Sequence, residues 1–248
     1  RMEGEKAWIS SASHASILSL YAQVDPSVGW RGLTCFTLET DREGVERVGP
    51  YDKMGGHARG TGGFRFHGTR VRQEDVLIPT GDAFKGAMAG IDAARFFVAA
   101  MSLGMMRMGL ERAIEYTKGR EAFGQTISDF QGIQWMLADV ATDIEASHLL
   151  TYRAAALADA GQNATPAAAH AKKFVTRAAL QRLADCQQVM GANGFRLEEP
   201  AARHLTAPDF RPRMPSRDMP DTTPPKSECL EESATFSGAI NPKNPGSW

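Results

Sequence analysis

Residues 87–118 read AMAGIDAARFFVAAMSLGMMRMGLERAIEYTK, and Gly119 follows. Apolar residues fall at positions 91, 98, 101, 105, 108, 110 and 114, with Ala and Gly between them. That is a helical period, and Gly119 is a natural stop. Downstream, Ser128 or Asp129 is expected to cap a second helix carrying Ile133, Met136, Leu137, Val140, Ile144, Leu149 and Leu150. Gly161–Thr165 breaks the pattern. Thr165-Pro166 then reads as an N-cap followed by Pro at the first helical position. Ala168, Phe174, Val175, Ala179, Leu183, Cys186 and Met190 continue at helical spacing up to Gly191. Three helices of roughly 25–30 residues with short connections favour an antiparallel bundle. Helices so rich in Ala, Leu and Met are expected to bury more than one face, the second against another subunit.

Upstream the pattern changes. Ile17–Ala22, Leu33–Leu38, Gly63–Phe66 and Val76–Ile78 are short β-branched or aromatic runs separated by Gly, Pro and Asp. They read as strands, most simply antiparallel. The fold class is therefore α+β: an antiparallel β-domain over 1–80, then an antiparallel helical bundle over 82–205. From about Thr206 the chain turns poor in apolar residues and holds 8 of the 13 prolines in 43 residues. A flexible or unrelated tail over 206–248 is expected.

Composition narrows the function classes. The 248 residues carry 28 Lys+Arg against 29 Asp+Glu, a net charge of −1. A chain of this length can bury about three quarters of its unfolded surface. The balance and the lack of a basic run argue against nucleic acid as a partner. The longest apolar passage, near Phe96–Met106, is too short for a bilayer, so no membrane is expected. The charged start, Arg1–Lys6, does not resemble a signal peptide. Three scattered cysteines, Cys35, Cys186 and Cys229, point to a reducing interior such as cytoplasm or mitochondrial matrix. No HExxH, CxxC or GxSxG occurs, so neither a metal site nor a nucleophile elbow is expected. The glycine cluster 55–63 ends in no Lys-Ser/Thr and opens no helix, and reads as a loop between strands.

Two segments carry two readings each. Arg120-Glu121-Ala122-Phe123-Gly124-Gln125 is either a helix terminus whose Arg favours the dipole, or an Arg presented to a phosphate with Phe123 against an aromatic ring. Gln188-Val189-Met190-Gly191-Ala192-Asn193-Gly194-Phe195 is either a helix C-cap or a close backbone approach to a ligand. In the first case Gly194 is left-handed and Phe195 packs back. In the second, Gly191 and Ala192 supply the lack of bulk.

These two segments join four others in one order. They are Lys6-Ala7-Trp8-Ile9-Ser10, Glu74-Asp75-Val76-Leu77-Ile78-Pro79, Asp92-Ala93-Ala94-Arg95 and Asp129-Phe130-Gln131. Together they resemble the acyl-CoA dehydrogenase family over residues 3–205. The resemblance implies an orthogonal β-domain followed by a helical C-terminal domain, a homodimer or homotetramer, and a non-covalent FAD. It places Trp8 beside the isoalloxazine and Ser10 on its N5/O4 edge. It places Arg120 on the pyrophosphate of a neighbouring subunit's FAD, with Phe123 and Gln131 lining that FAD. Gln188, Met190, Gly191 and Ala192 fall to its adenosine-diphosphate part, and Asp92 and Arg95 to the CoA portion of the substrate. The implied reaction is α,β-dehydrogenation of an acyl-CoA thioester in fatty acid metabolism. An electron-transferring flavoprotein is the implied acceptor.

The sequence departs from the family at the catalytic carboxylate. One family position for it falls on Pro215, and the other on Ala94. Arg211–Arg217 resembles nothing in the family, and its prolines oppose a helix. The family's N-terminal helical domain and its Gly-Ser flavin loop are also not found. The expectation is a fragment with impaired turnover and weak FAD binding, its tail arising from a shifted frame, a fusion or a truncation. The alternatives are a helical interaction module without cofactor, or a related acyl-CoA oxidase or reductase.

Overall fold

The computed structural model describes residues 1–206. Pro215, Cys229 and the expected tail beyond Thr206 lie outside the described residues. The chain divides into two compact units.

The first unit comprises Arg1–Asp52 and His57–Ala89. It holds two three-stranded antiparallel sheets. In one, β5 (Gly62–Thr69) lies between β1 (Met2–Ile9) and β4 (Val45–Val48). In the other, β3 (Leu33–Glu39) lies between β2 (Ile17–Gln23) and β6 (Val76–Ile78). Strand β2 alternates as a half-buried strand must: Leu18 and Leu20 point inward while Ile17 and Ser19 face out. Leu18, Leu20, Phe36 and Leu38 of one sheet share a core with Met2, Phe64 and Phe66 of the other.

The four expected strands are present, and two more were not anticipated. β1 carries Glu3, Glu5 and Lys6, and β4 reads VERV. Both are edge strands whose charged residues blunt the open edge and erase the apolar run that sequence reading looks for. The glycine cluster does form the connection from β4 to β5, with a 3-10 turn at His57–Arg59. Gly62 is needed where it stands, because a Cβ there would lie 2.4 Å from the Val48 carbonyl oxygen. Ahead of β6, buried Asp75 accepts from Arg42 at 2.5 and 2.9 Å and from the Arg72 amide at 2.7 Å. The Arg42 guanidinium holds its carboxyl below the ordinary aspartate value.

Among the described residues, the second unit comprises Lys53–Gly56 and 90–206. Its helices are α1 (Ala83–Gly119, beginning in the first unit), α2 (Gln131–Asp159), α3 (Thr165–Val189) and the short α4 (Pro200–Leu205). At 37 residues α1 exceeds the expected length. Ala99, Leu103, Met106 and Ala113 form its fully buried stripe, packed with residues of α2 and α3. A Cβ on Gly109 would come within 2.9 Å of a Leu183 methyl, so this glycine permits close approach of α1 to α3. Arg182 ties α3 to α2 by donating to Asp143 at 2.7 Å, and it is held within α3 by donating to Asp185 at 2.7 Å.

Several sequence expectations need correction here. Neither Ser128 nor Asp129 caps α2. Both lie in a 3-10 turn and hydrogen-bond the Thr126 hydroxyl at 2.8 Å, leaving Phe130 at the cap position. Thr165 is the first residue of α3 and not its cap. Ala164 holds that position, and Asn163 Oδ1 accepts from the Thr165 amide at 3.1 Å. At the far end of α3 the left-handed residue is Gly191, with φ 57°, and not Gly194. Gly194 is buried for another reason: a Cβ would lie 2.3 Å from the Gln187 carbonyl oxygen. Phe195 does not pack back, being 66 % exposed. Finally, α1 is long and apolar enough to cross a membrane by length and composition, beyond what the passage Phe96–Met106 indicated. Only 17 % of its most apolar 18-residue window is buried, and Phe97 and Met101 stand on its uncovered side.

Candidate functional site

In the first unit the site residues sit where β1 ends. Pairing with β5 slips between Lys6 and Ile9, and within that irregularity Trp8 takes a left-handed backbone with φ 60°. For a bulky residue this conformation costs on the order of 1 kcal/mol. It turns the indole outward, exposed, against the edge of Tyr51 with ring centroids 5.0 Å apart. Tyr51 lies across β5, since a Cβ on Gly63 would meet its hydroxyl at 2.7 Å. Ser10 follows, exposed, and the left-handed Ser11 anchors the turn by donating to the Arg59 carbonyl at 2.8 Å. Burial pulls the half-buried Lys6 ammonium below its ordinary value.

In the second unit, the segment between α1 and α2 is a miniature hairpin. β7 (Glu121–Ala122) pairs with β8 (Gln125–Thr126), and Phe123-Gly124 forms the two-residue turn. Both turn residues have positive φ, 53° and 83°, as a primed hairpin turn demands. Asn-Gly is the relaxed choice for such a turn. Phe is a strained one, and its ring is 97 % exposed, touching Phe130 edge-on at 6.2 Å. Arg120 lies just before this hairpin, exposed, with its backbone fixed by bonds to Tyr116 and Ile127. It makes no ion pair among the described residues. Gln131 opens α2 and is exposed. These groups can receive an anion and a flat ring, because none is spent on the fold.

At the end of α3, Gln188, Gly191 and Ala192 are exposed, whereas the Met190 side chain is 1 % exposed. Met190 can therefore offer a ligand only its backbone. Gln187 and Asn193 hold this turn, donating to the Gly194 carbonyl and the Tyr116 hydroxyl at 3.0 Å each. On α1, Arg95 donates to one oxygen of Asp92 at 2.9 Å, and the Thr165 hydroxyl donates to the other. Ala94 is exposed between them in sequence and offers no acid or base.

Three features escaped sequence reading. Tyr51 supports Trp8 from a loop remote in sequence. Thr165 supports Asp92 from another helix. Trp135 is 65 % exposed one helical turn beyond Gln131, and so shares its face of α2. Only Trp135 left a local signal, an aromatic four residues after Gln131.

Comparison with known proteins completes this picture. The family model described as acyl-CoA dehydrogenase, C-terminal domain, matches residues 81–208. The short/branched chain specific acyl-CoA dehydrogenase, mitochondrial, of Rattus norvegicus is 37 % identical over 202 residues, 82 % of this chain and 47 % of that protein. The structure of butyryl-CoA dehydrogenase from Megasphaera elsdenii superposes with a TM-score of 0.80 at 36 % identity, over 84 % of this chain and 54 % of that one. A FAD complex of PigA superposes with a TM-score of 0.77 at 25 % identity, over 82 % and 53 % of the two chains. The chain thus spans about half the length of the curated relatives it matches. With antiparallel sheets, helical bundle and matched C-terminal model taken together, the chain belongs to the acyl-CoA dehydrogenase family.

Proposed function

We propose that this chain supplies the β-domain (1–80) and the FAD-binding, oligomer-forming helical domain (82–205) of an acyl-CoA dehydrogenase-type flavoprotein oxidoreductase. The observation that carries this reading is the hairpin between α1 and α2. A nearly naked Phe123 is held in a strained conformation beside an exposed Arg120 that makes no ion pair among the described residues. Strain and exposure together are retained where a partner covers the ring. Arg120 would hold the pyrophosphate of a neighbouring subunit's FAD through its guanidinium fork, with Phe123 and Gln131 against that cofactor. Gln188, Gly191, Ala192 and the Met190 backbone would hold its adenosine-diphosphate part. In the first unit, Trp8 would border the isoalloxazine of a FAD, with Ser10 on its N5/O4 edge. When bound, FAD supplies the hydride acceptor for the β-hydrogen.

The chain's own groups have narrower tasks. Asp92 and Arg95 orient the CoA portion of the thioester. The α-proton needs a carboxylate base in a desolvated slot, and Ala94 provides none. Family resemblance makes an electron-transferring flavoprotein the proposed acceptor, a homo-oligomer the proposed assembly, and a reducing interior the proposed location. The buried free thiols Cys35 and Cys186 suit such a compartment.

The uncovered apolar side of α1 favours a second reading, a helical interaction module without cofactor. One experiment separates the two. Purified protein is incubated with FAD, and bound flavin and acyl-CoA oxidation by an artificial acceptor are measured for wild type and Ala94→Glu. Flavin binding with negligible wild-type turnover, and measurable turnover in Ala94→Glu, is the expected result. Absence of flavin binding in an assembled oligomer would transfer the case to the interaction module.

A further inference from the structure

The structure assigns Thr165 a role beyond its helix: we infer that it is a positioning residue for the CoA-facing pair Asp92 and Arg95, an inference that rests on the substrate reading of that pair. Thr165 opens α3, where a hydroxyl would ordinarily cap the helix. Here Asn163 takes the Thr165 amide at 3.1 Å, and the Thr165 hydroxyl is free to reach across to α1. It donates to one Asp92 oxygen while Arg95 Nη1 donates to the other at 2.9 Å.

The consequence is geometric. An aspartate carboxylate rotates easily about its last torsion, whose preference is broad. One anchor leaves the plane of the carboxylate free, and two anchors from different helices fix it. The fixed carboxylate in turn fixes the guanidinium, which spends one of its five N–H donors on Asp92. Among the described residues Arg95 has no other ion pair, and its side chain is 34 % exposed against 19 % for Asp92. Arg95 thus keeps donors turned toward solvent in a set orientation, ready for an acceptor on a ligand. Thr165 has no reason to touch that ligand, and acts through Asp92.

The test compares wild type, Arg95→Ala, Thr165→Val and Thr165→Ser in FAD-supplemented full chain, each titrated with butyryl-CoA and with the butyryl thioester of N-acetylcysteamine, which lacks the nucleotide. Thr165→Val is expected to weaken butyryl-CoA roughly tenfold, about 1.4 kcal/mol. It should leave the truncated thioester unchanged, and Thr165→Ser should restore wild-type affinity. An unaltered butyryl-CoA affinity in Thr165→Val, with Arg95→Ala still weakened, would overturn the role of Thr165 alone. Equal weakening of both thioesters, or no rescue by Ser, would reduce Thr165 to a packing residue and overturn it too. If Arg95→Ala binds butyryl-CoA as wild type does, or wild type binds none, the substrate reading of the pair falls and takes the inference with it.

Discussion

Replacing Phe123 by Asn should make this protein more stable and a worse flavin binder at once. Phe123 has φ 53° in a two-residue turn whose second residue, Gly124, has φ 83°. Holding a bulky residue there costs about 1 kcal/mol, which Asn largely relieves. The ring is 97 % exposed, so its removal forfeits little burial. Loss of the edge contact with Phe130 offsets about 0.5 kcal/mol. The net gain is roughly 0.5 kcal/mol, a rise of about 1–2 °C in Tm for a structured region of this size. If FAD covers the ring, the variant also forfeits the burial of an aromatic side chain, roughly 2 kcal/mol or thirtyfold in Kd. Thermal unfolding without flavin and a flavin-fluorescence titration read the two effects separately. A variant that loses stability, or that binds FAD as wild type does, would refute the argument that this strain is kept for a ligand.

Other outcomes follow from single side chains. Ser147 is fully buried in α2 and its hydroxyl has no hydrogen-bond partner among the described residues, so Ser147→Ala should raise stability by about 1 kcal/mol in urea unfolding. Asp75→Asn should cost about 2 kcal/mol at neutral pH, because the buried Asp75 loses its charge-assisted bonds to Arg42, which is half-buried and keeps Glu39 as a partner. The Asp75 pKa is depressed in the fold, so its contribution is complete above the unfolded value near 3.9. It disappears as pH falls through the folded value, so wild type and variant should converge only below about pH 4. Burial pushes the Cys186 thiol up to about 12, and iodoacetamide at pH 8 should leave it unmodified until the chain unfolds, as peptide mass spectrometry would record.

Much of the architecture was legible because it repeats. Apolar residues at helical spacing marked α2 and α3, since that repeat reflects one buried face, and the short apolar run Ile17–Ala22 between turn residues marked β2. Periodicity could not mark β1 or β4, whose charged edges carry no buried stripe. It located helix ends to within a few residues but misassigned their caps. A hydroxyl near a helix start has several backbone and side-chain partners within reach, and which one it takes depends on what lies opposite.

The candidate site divides in the same way. Residue identity allowed Arg120 to meet a phosphate and Phe123 a ring, and the family resemblance added Gln131 for the cofactor and Asp92 and Arg95 for the thioester. Residue identity also settled that Ala94 bears no carboxylate. Whether each group is available is a property of packing. Tertiary structure left Phe123 bare and Arg120 without an ion pair among the described residues, and buried the Met190 side chain. It gave the left-handed position after α3 to Gly191 and the close backbone contact to Gly194. It also joined Thr165 to Asp92 across 73 residues of sequence. Chemistry is carried by the side chain and can be read in order along the chain. Exposure, orientation and pairing are set by neighbours far away in sequence, and the linear order does not contain them.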